Sequence, residues 1–207
     1  MPGVVLYRSL AVRMLKPFHR FVARELCRVV GKGVVLDVGC GTCSLLIELI
    51  RSCESVYGCI GIDLSVAMAK TCRDALYRSG VRHLVDVVVG DAHRMPVRSR
   101  SVDAAVSTGT LHHLLKPRAF FEECSRVVKS VCVVYEFSHD APSDEVKAFA
   151  RGMGRSWRLL KLVASMHGIP RRDFVEGVIA RELRESGVRY GVSFVGLATK
   201  LEIFPRG

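Results

Sequence analysis

The chain has 207 residues, a formal net charge of +11 and 49% hydrophobic residues. That length suffices for one α/β unit with a full core, and no apolar run approaches the roughly 20 residues a membrane span needs. The start, Met1 to Arg8, has no basic region ahead of a long apolar stretch, which argues against a secretory signal and makes the cytoplasm the default location. Arginine far outnumbers lysine. Such an excess fits a polyanionic partner such as RNA or an anionic lipid surface, or a compositional habit of the organism. The chain contains no Asn and no Gln, the thermolabile amides that hyperthermophile proteins avoid, so a very hot environment is expected. In that setting eight cysteines can include structural disulfides even inside the cell.

Residues from about Leu6 to Val30 predict a helix. Arg13, Lys16, Arg20, Arg24 and Arg28 recur at steps of three or four, with Met14, Leu15, Phe18, Val22, Leu26 and Val29 forming an apolar face beside them. Pro17 is expected to start the main helix or kink it. The basic stripe reads as a solvated face or, more sharply, as one that meets RNA or lipid. Next comes Val34-Val-Leu-Asp-Val-Gly-Cys-Gly-Thr-Cys43 and a helix from Ser44 to Cys53. Strand, tight turn, helix is the opening unit of a doubly wound sheet. Gly39 and Gly41 let the backbone turn sharply against a ligand, and the helix start presents unpaired N–H groups there. Cys40 and Cys43 make a C-x-x-C inside this loop, where a disulfide between them would compete with the turn. The remaining cysteine spacings do not match a zinc site.

Tyr57 to Asp63 is a second buried-strand pattern, and an Asp at that strand end suits both hydroxyls of a ribose. Ser65 to Ser79 reads as a helix capped by Ser65 and ended by Gly80. A third strand, Leu84 to Val89, ends in Gly90-Asp-Ala92. A fourth, Val102 to Ser107, runs into Thr108-Gly-Thr-Leu-His-His-Leu114. A helix from Pro117 to Lys129 and a strand from Val131 to Phe137 follow, closing on Glu136-Phe-Ser-His-Asp140. From Pro142 to Gly187 two helical stretches are predicted, broken at Ile169-Pro170, the second running from Asp173 to Glu185. Arg151, Arg155, Arg158 and Lys161 form a further basic run, and Trp157, Leu160 and Val163 read as core. Gly187 to Phe204 reads as two strands broken around Gly196.

Leu36-Asp-Val-Gly-Cys-Gly-Thr42, Gly61-Ile-Asp-Leu-Ser65, Gly90-Asp-Ala92 with Met95-Pro96, and Ser101-Val-Asp103 with Leu111-His-His-Leu114 stand in order at domain-like spacing. Together they resemble the class I S-adenosylmethionine (SAM) dependent methyltransferases, in the methyltransferase type 11 branch typified by the quinone-biosynthesis C-methyltransferases. The resemblance covers roughly residues 34–137. It implies an α/β fold with a doubly wound, Rossmann-like seven-stranded sheet, mostly parallel with a C-terminal antiparallel strand and helices on both faces. It also implies one methyltransferase domain over residues 1–207. Within it, 1–32 is an N-terminal helical segment, 33–140 the cofactor core, 141–187 a helical segment roofing the acceptor site, and 188–207 a strand pair. By the same resemblance Asp37, Gly39, Cys40, Gly41, Asp63, Leu64, Asp91, Ala92 and Thr108 bind SAM, with S-adenosylhomocysteine as product. Asp91 would face the adenine amino group. The family usually has Gly where this chain has Cys43, whose Cβ is expected to narrow the turn.

Methyl transfer from a sulfonium is an in-line displacement in which the protein aligns the acceptor, excludes water and sometimes removes a proton. His112 or His113, with Glu136 and His139 at the next strand end, are the expected acceptor-side groups, with base or packing roles. No metal is implied. Three readings stay open: a small-molecule methyltransferase acting on O, C or N; a tRNA methyltransferase acting on a wobble-uridine carboxymethyl group, a family the motifs also resemble; and a non-catalytic SAM-binding subunit, supported by Cys43. The sequence leaves the oligomeric state open.

Overall fold

The computed structural model describes residues 2–206, with side chains from 15 to 206. A long helix, α1 (Pro2–Val29), leads into an alternating run: β1 (Gly33–Val38), α2 (Ser44–Ser52), β2 (Val56–Asp63), α3 (Val66–Arg78) and β3 (Val85–Val89). Then come β4 (Val102–Thr108), α4 (Pro117–Val127) and β5 (Val128–Phe137). Helices α5 (Ser143–Gly152), α6 (Trp157–His167), α7 (Arg171–Val175) and α8 (Val178–Ser186) precede β6 (Tyr190–Val195) and β7 (Ala198–Ile203). The seven strands form one sheet in the order β3-β2-β1-β4-β5-β7-β6. β1 to β5 are parallel, and β7 runs antiparallel between β5 and β6. The order reverses between β1 and β4. A crevice opens there at the carboxyl ends of the strands, because the connections leave β1 and β4 toward opposite sides.

Successive strand residues point to opposite faces, and the core divides accordingly. Val35, Ala104, Val106, Val133 and Tyr135 pack with Phe18, Val22, Leu26, Leu46 and Leu76. Leu36, Ala105, Cys132 and Val134 pack on the other face with Phe120, Phe121 and Leu183.

Two expectations change and a third is refined. Pro17 lies inside α1 rather than starting it. The helix carries Phe18, Val22 and Leu26 into the core. Burial at ~1.5–3 kcal/mol each outweighs the ~3 kcal/mol that an internal proline costs. The predicted pair of helices after Pro142 is four. The backbone leaves helical geometry at Glu176 (φ −137°), where α7 ends, and Gly177 starts α8. The basic stripe of α1 is partly committed within the protein. Lys16 and Arg20 both reach Glu48, at 3.3 and 2.9 Å, and Arg28 reaches Glu25. Arg13 and Met14 lie outside the described side chains. Among the described residues, no helix is long and apolar enough to cross a membrane.

Two disulfides form. Cys27 near the end of α1 joins Cys53, the C-cap of α2, with Cα atoms 5.6 Å apart. It fastens the N-terminal helix to the first crossover. Closing a loop with a sequence separation of 26 removes unfolded-state entropy equivalent to about 3 kcal/mol. Replacing both Cys27 and Cys53 by Ala is expected to lower unfolding free energy by about that amount in non-reducing denaturant titrations; an unchanged midpoint would show that the bridge constrains nothing.

Candidate active site

The turn from β1 into α2 takes Gly39 (φ +76°), Gly41 (φ +52°) and Cys43 (φ +58°) through left-handed backbone. A Cβ at Gly39 would run into the Thr110 side chain, so only glycine lets the β1 and β4 loops approach there. The N–H groups of Gly39 and Cys40 both donate to the Ile62 carbonyl, at 2.8 and 2.9 Å. At the end of β2 the Asp63 carboxylate accepts the Gly41 N–H on Oδ2 and the Ser65 N–H on Oδ1, each at 2.9 Å. One carboxylate thereby fixes the turn on one side and the start of α3 on the other.

Cys43 does not narrow the cavity. Its side chain is fully buried and forms the second disulfide, with Cys72 of α3, Cα to Cα 5.0 Å. The residue adopts the left-handed conformation that glycine usually supplies, and a covalent tie to α3 helps hold it there. Cys40 does not pair with Cys43 and is a free thiol. Its side chain is buried against Gly61 and Leu46, so its contribution at the loop is its backbone. Burial, then the nearby Asp37 and Asp63 charges, push its thiol pKa far up, which makes it inert.

The crevice holds a cavity of about 720 Å³ lined by Gly39, Gly41, Asp63, Leu64, Asp91 and Ala92 among the expected residues. Met68, His93, Gly109, Thr110, His113 and the Leu114-Leu-Lys116 segment complete much of the wall. Six expected residues lie off this wall, among them His112, whose ring packs on His113 instead. Thr108 belongs to β4 and pairs with Tyr135; the wall is made by Gly109 and Thr110 just beyond it. Cys40 faces the core. Glu136 is buried and takes no part in the wall. Asp37 sits behind the turn, buried, with Oδ1 lacking a hydrogen-bond partner. His139 also lies off the wall, with Nδ1 3.3 Å from the Gly168 carbonyl oxygen. Asp91 is engaged by a residue the motif reading missed: its Oδ1 accepts the His93 N–H at 2.8 Å and lies 2.7 Å from His93 Nδ1. The His93 N–H, with its ring, holds the Asp91 carboxyl below the usual range.

At the ends of β4 and β5, Glu136 Oε1 lies 2.9 Å from His112 Nδ1. This leaves His112 Nε2 buried with no hydrogen-bond partner. The His113 ring packs on His112, centroids 3.9 Å apart, and His167 at the end of α6 stands 5.5 Å from His112. Burial, then the His112 neighbour, lowers the His113 pKa and so disfavours its charged form.

A glycine turn, a strand-end carboxylate and a crevice at the switch point define a nucleoside-binding doubly wound α/β protein. The family described as "Methyltransferase domain" matches residues 36–135. A malonyl-[acyl-carrier protein] O-methyltransferase of Geobacter sulfurreducens is 30% identical over 206 residues, covering 97% of this chain and 71% of that protein. A tRNA (carboxymethyluridine(34)-5-O)-methyltransferase of Arabidopsis thaliana is 37% identical over 99 residues, covering 46% of this chain and 21% of that protein. The crystal structure of a SAM-dependent methyltransferase from Aquifex aeolicus superposes with a TM-score of 0.66 at 20% identity, covering 91% of this chain and 90% of that one. The chain belongs to the class I SAM-dependent methyltransferases, and SAM is its cofactor.

Burial, then the Asp63 charge, pushes the Asp37 carboxyl up to about 7 from 3.8. Between those values the folded protein keeps a proton that the unfolded chain has released. The associated stability is complete below 3.8 and lost as pH rises through about 7. Asp37→Asn removes this dependence. Its stability advantage over the native protein, without SAM, is expected to widen by about 2–3 kcal/mol between about pH 5 and about pH 8. A gap that does not change with pH would contradict the assigned proton.

Proposed function

We propose that this enzyme transfers the methyl group of SAM to a small organic acceptor. The observation that carries the reading is the cavity itself: a largely apolar crevice, open on one side, whose wall includes Asp63 and, beyond it, Leu114 and Leu115. The residues present fit SAM. Asp63 has a free lone pair on each oxygen beyond its two backbone partners, enough for two ribose hydroxyls. Gly39 and Gly41 expose backbone at the amino-acid end. Asp37 offers an orphaned carboxyl oxygen behind that turn, which ionises to face an ammonium directly or through water. Asp91 and Ala92 border the adenine, with Leu64 beside them. SAM supplies the electrophilic methyl group. The chain supplies position: the Leu111–His113 turn puts His113 on the cavity wall, the His112 and His167 rings pack beside it, and Glu136 fixes the His112 ring.

RNA is the second reading, favoured by the +11 charge and the likeness to the tRNA enzyme. Against it, Lys16, Arg20 and Arg28 are engaged with Glu48 and Glu25, and Lys116 is the single Lys or Arg on the cavity wall among the described residues. Binding of bulk tRNA is expected to be weak, and salt dependence separates the readings: a tight complex whose affinity falls steeply with log salt would overturn the small-molecule reading. For the cofactor, Asp63→Ala is expected to weaken SAM binding at least ~100-fold in calorimetry, the loss of two charge-assisted hydrogen bonds. Unchanged affinity in a folded variant would mean the ribose lies elsewhere.

A further inference from the structure

The acceptor-end histidines are arranged as ligands. One ring nitrogen from each of His112, His113 and His167 lies within 4.8 Å of the other two. They come from two elements far apart in sequence: the 3₁₀ turn after β4 and the end of α6. In a four-coordinate site with bonds of ~2.0–2.1 Å the ligand nitrogens stand about 3.4 Å apart, so from separations within 4.8 Å the nitrogens need to close by at most about 1.4 Å to share an ion. His112 shows the second half of the pattern. Buried Glu136 takes its Nδ1 side at 2.9 Å, and Nε2 is left buried and unpartnered. Metal-bound histidines characteristically have a carboxylate on the far ring nitrogen, which fixes the tautomer and turns the other nitrogen to the metal. A buried ring nitrogen left without a partner has lost its water and gained nothing in return, unless something meets it.

We propose that His112, His113 and His167 bind one divalent transition-metal ion, with Glu136 orienting His112. Three imidazoles select a borderline ion of the zinc, cobalt or nickel kind over magnesium or calcium, which take oxygen ligands. Three protein ligands leave a coordination position open. Because His113 also lines the cofactor cavity, that position adjoins the acceptor end. A hydroxyl or enol oxygen of the acceptor bound there becomes more acidic and releases its proton to solvent, leaving an oxyanion as nucleophile. The site stands on side-chain geometry, so ion binding can be measured without SAM or acceptor, and its failure leaves the methyltransferase reading untouched.

A second cluster could compete for an ion. Cys40, Cys43 and Cys72 also place their sulfurs within 4.8 Å of one another, but Cys43 and Cys72 are joined as a disulfide and offer no thiolates.

The test is a cobalt titration of chelator-stripped protein without a histidine tag, kept non-reducing and followed by visible absorption. One equivalent of Co²⁺ is expected to bind with intense d–d bands of a low-coordinate ion. Zn²⁺ is expected to displace it, and His167→Ala to weaken binding at least ~100-fold. Glu136→Gln is expected to weaken it by ~10–100-fold. His113→Ala, at an exposed position, serves as the ligand deletion if His167→Ala does not fold. The assignment is overturned by absence of stoichiometric binding, by affinity indifferent to the histidine deletions, or by thiolate-to-cobalt charge-transfer bands that place the ion on the cysteines.

Discussion

The turn between β1 and α2 crosses left-handed backbone three times in five residues, at Gly39, Gly41 and Cys43, and the site depends on holding that shape. Left to itself the segment would not keep it. Glycine has more backbone freedom to lose than any other residue, and a non-glycine residue in this region costs roughly 1–3 kcal/mol. Several restraints act together: the shared Ile62 carbonyl, the Asp63 carboxylate on the Gly41 N–H, and the Cys43–Cys72 bridge. Each attaches the turn to β2 or α3. The loop thus inherits the rigidity of the sheet and of the helix packed on it.

The same restraint sets the electrostatics. Asp63 must reach the turn, which brings it near Asp37, and Asp37 is fully buried with an oxygen unpaired. Burial and the Asp63 charge together favour a protonated Asp37. The protein therefore carries an electrostatic cost at this end that a cation can relieve. On the proposed reading the ammonium of SAM is that cation, and binding energy there is partly the release of a strained proton equilibrium. The Cys27–Cys53 bridge acts further out, keeping α1 on α2 and so closing the face of the sheet beneath the turn.

Much of the fold was legible because its signals are local. Val34 to Gly41 and Tyr57 to Asp63 carry strand, turn and carboxylate within single short stretches, and the structure puts Gly39, Gly41, Asp63, Leu64, Asp91 and Ala92 on one cavity wall. What was not legible depends on side-chain direction or distant packing. Cys40 is one residue from a wall glycine yet points into the core, and Thr108 ends one residue short of the wall. In both, a shift of one position turns the side chain to the other face. Cys43 read as a steric defect because its partner, Cys72, lies on the next helix. His93 carried a signal in its spacing from Asp91, since a residue two positions on can return its N–H to an Asx side chain. His167 carried none, because only the tertiary path of α6 brings it to His112.

The central claim is that the Asp63-clamped turn and the crevice beside it hold the cofactor. A crystal structure with S-adenosylhomocysteine tests it most directly. The account predicts the ribose hydroxyls on Asp63, the amino-acid end over Gly39 and Gly41 with Asp37 behind, and the adenine between Leu64 and Ala92. A ligand bound outside this crevice, or a ribose that leaves Asp63 untouched, would contradict it.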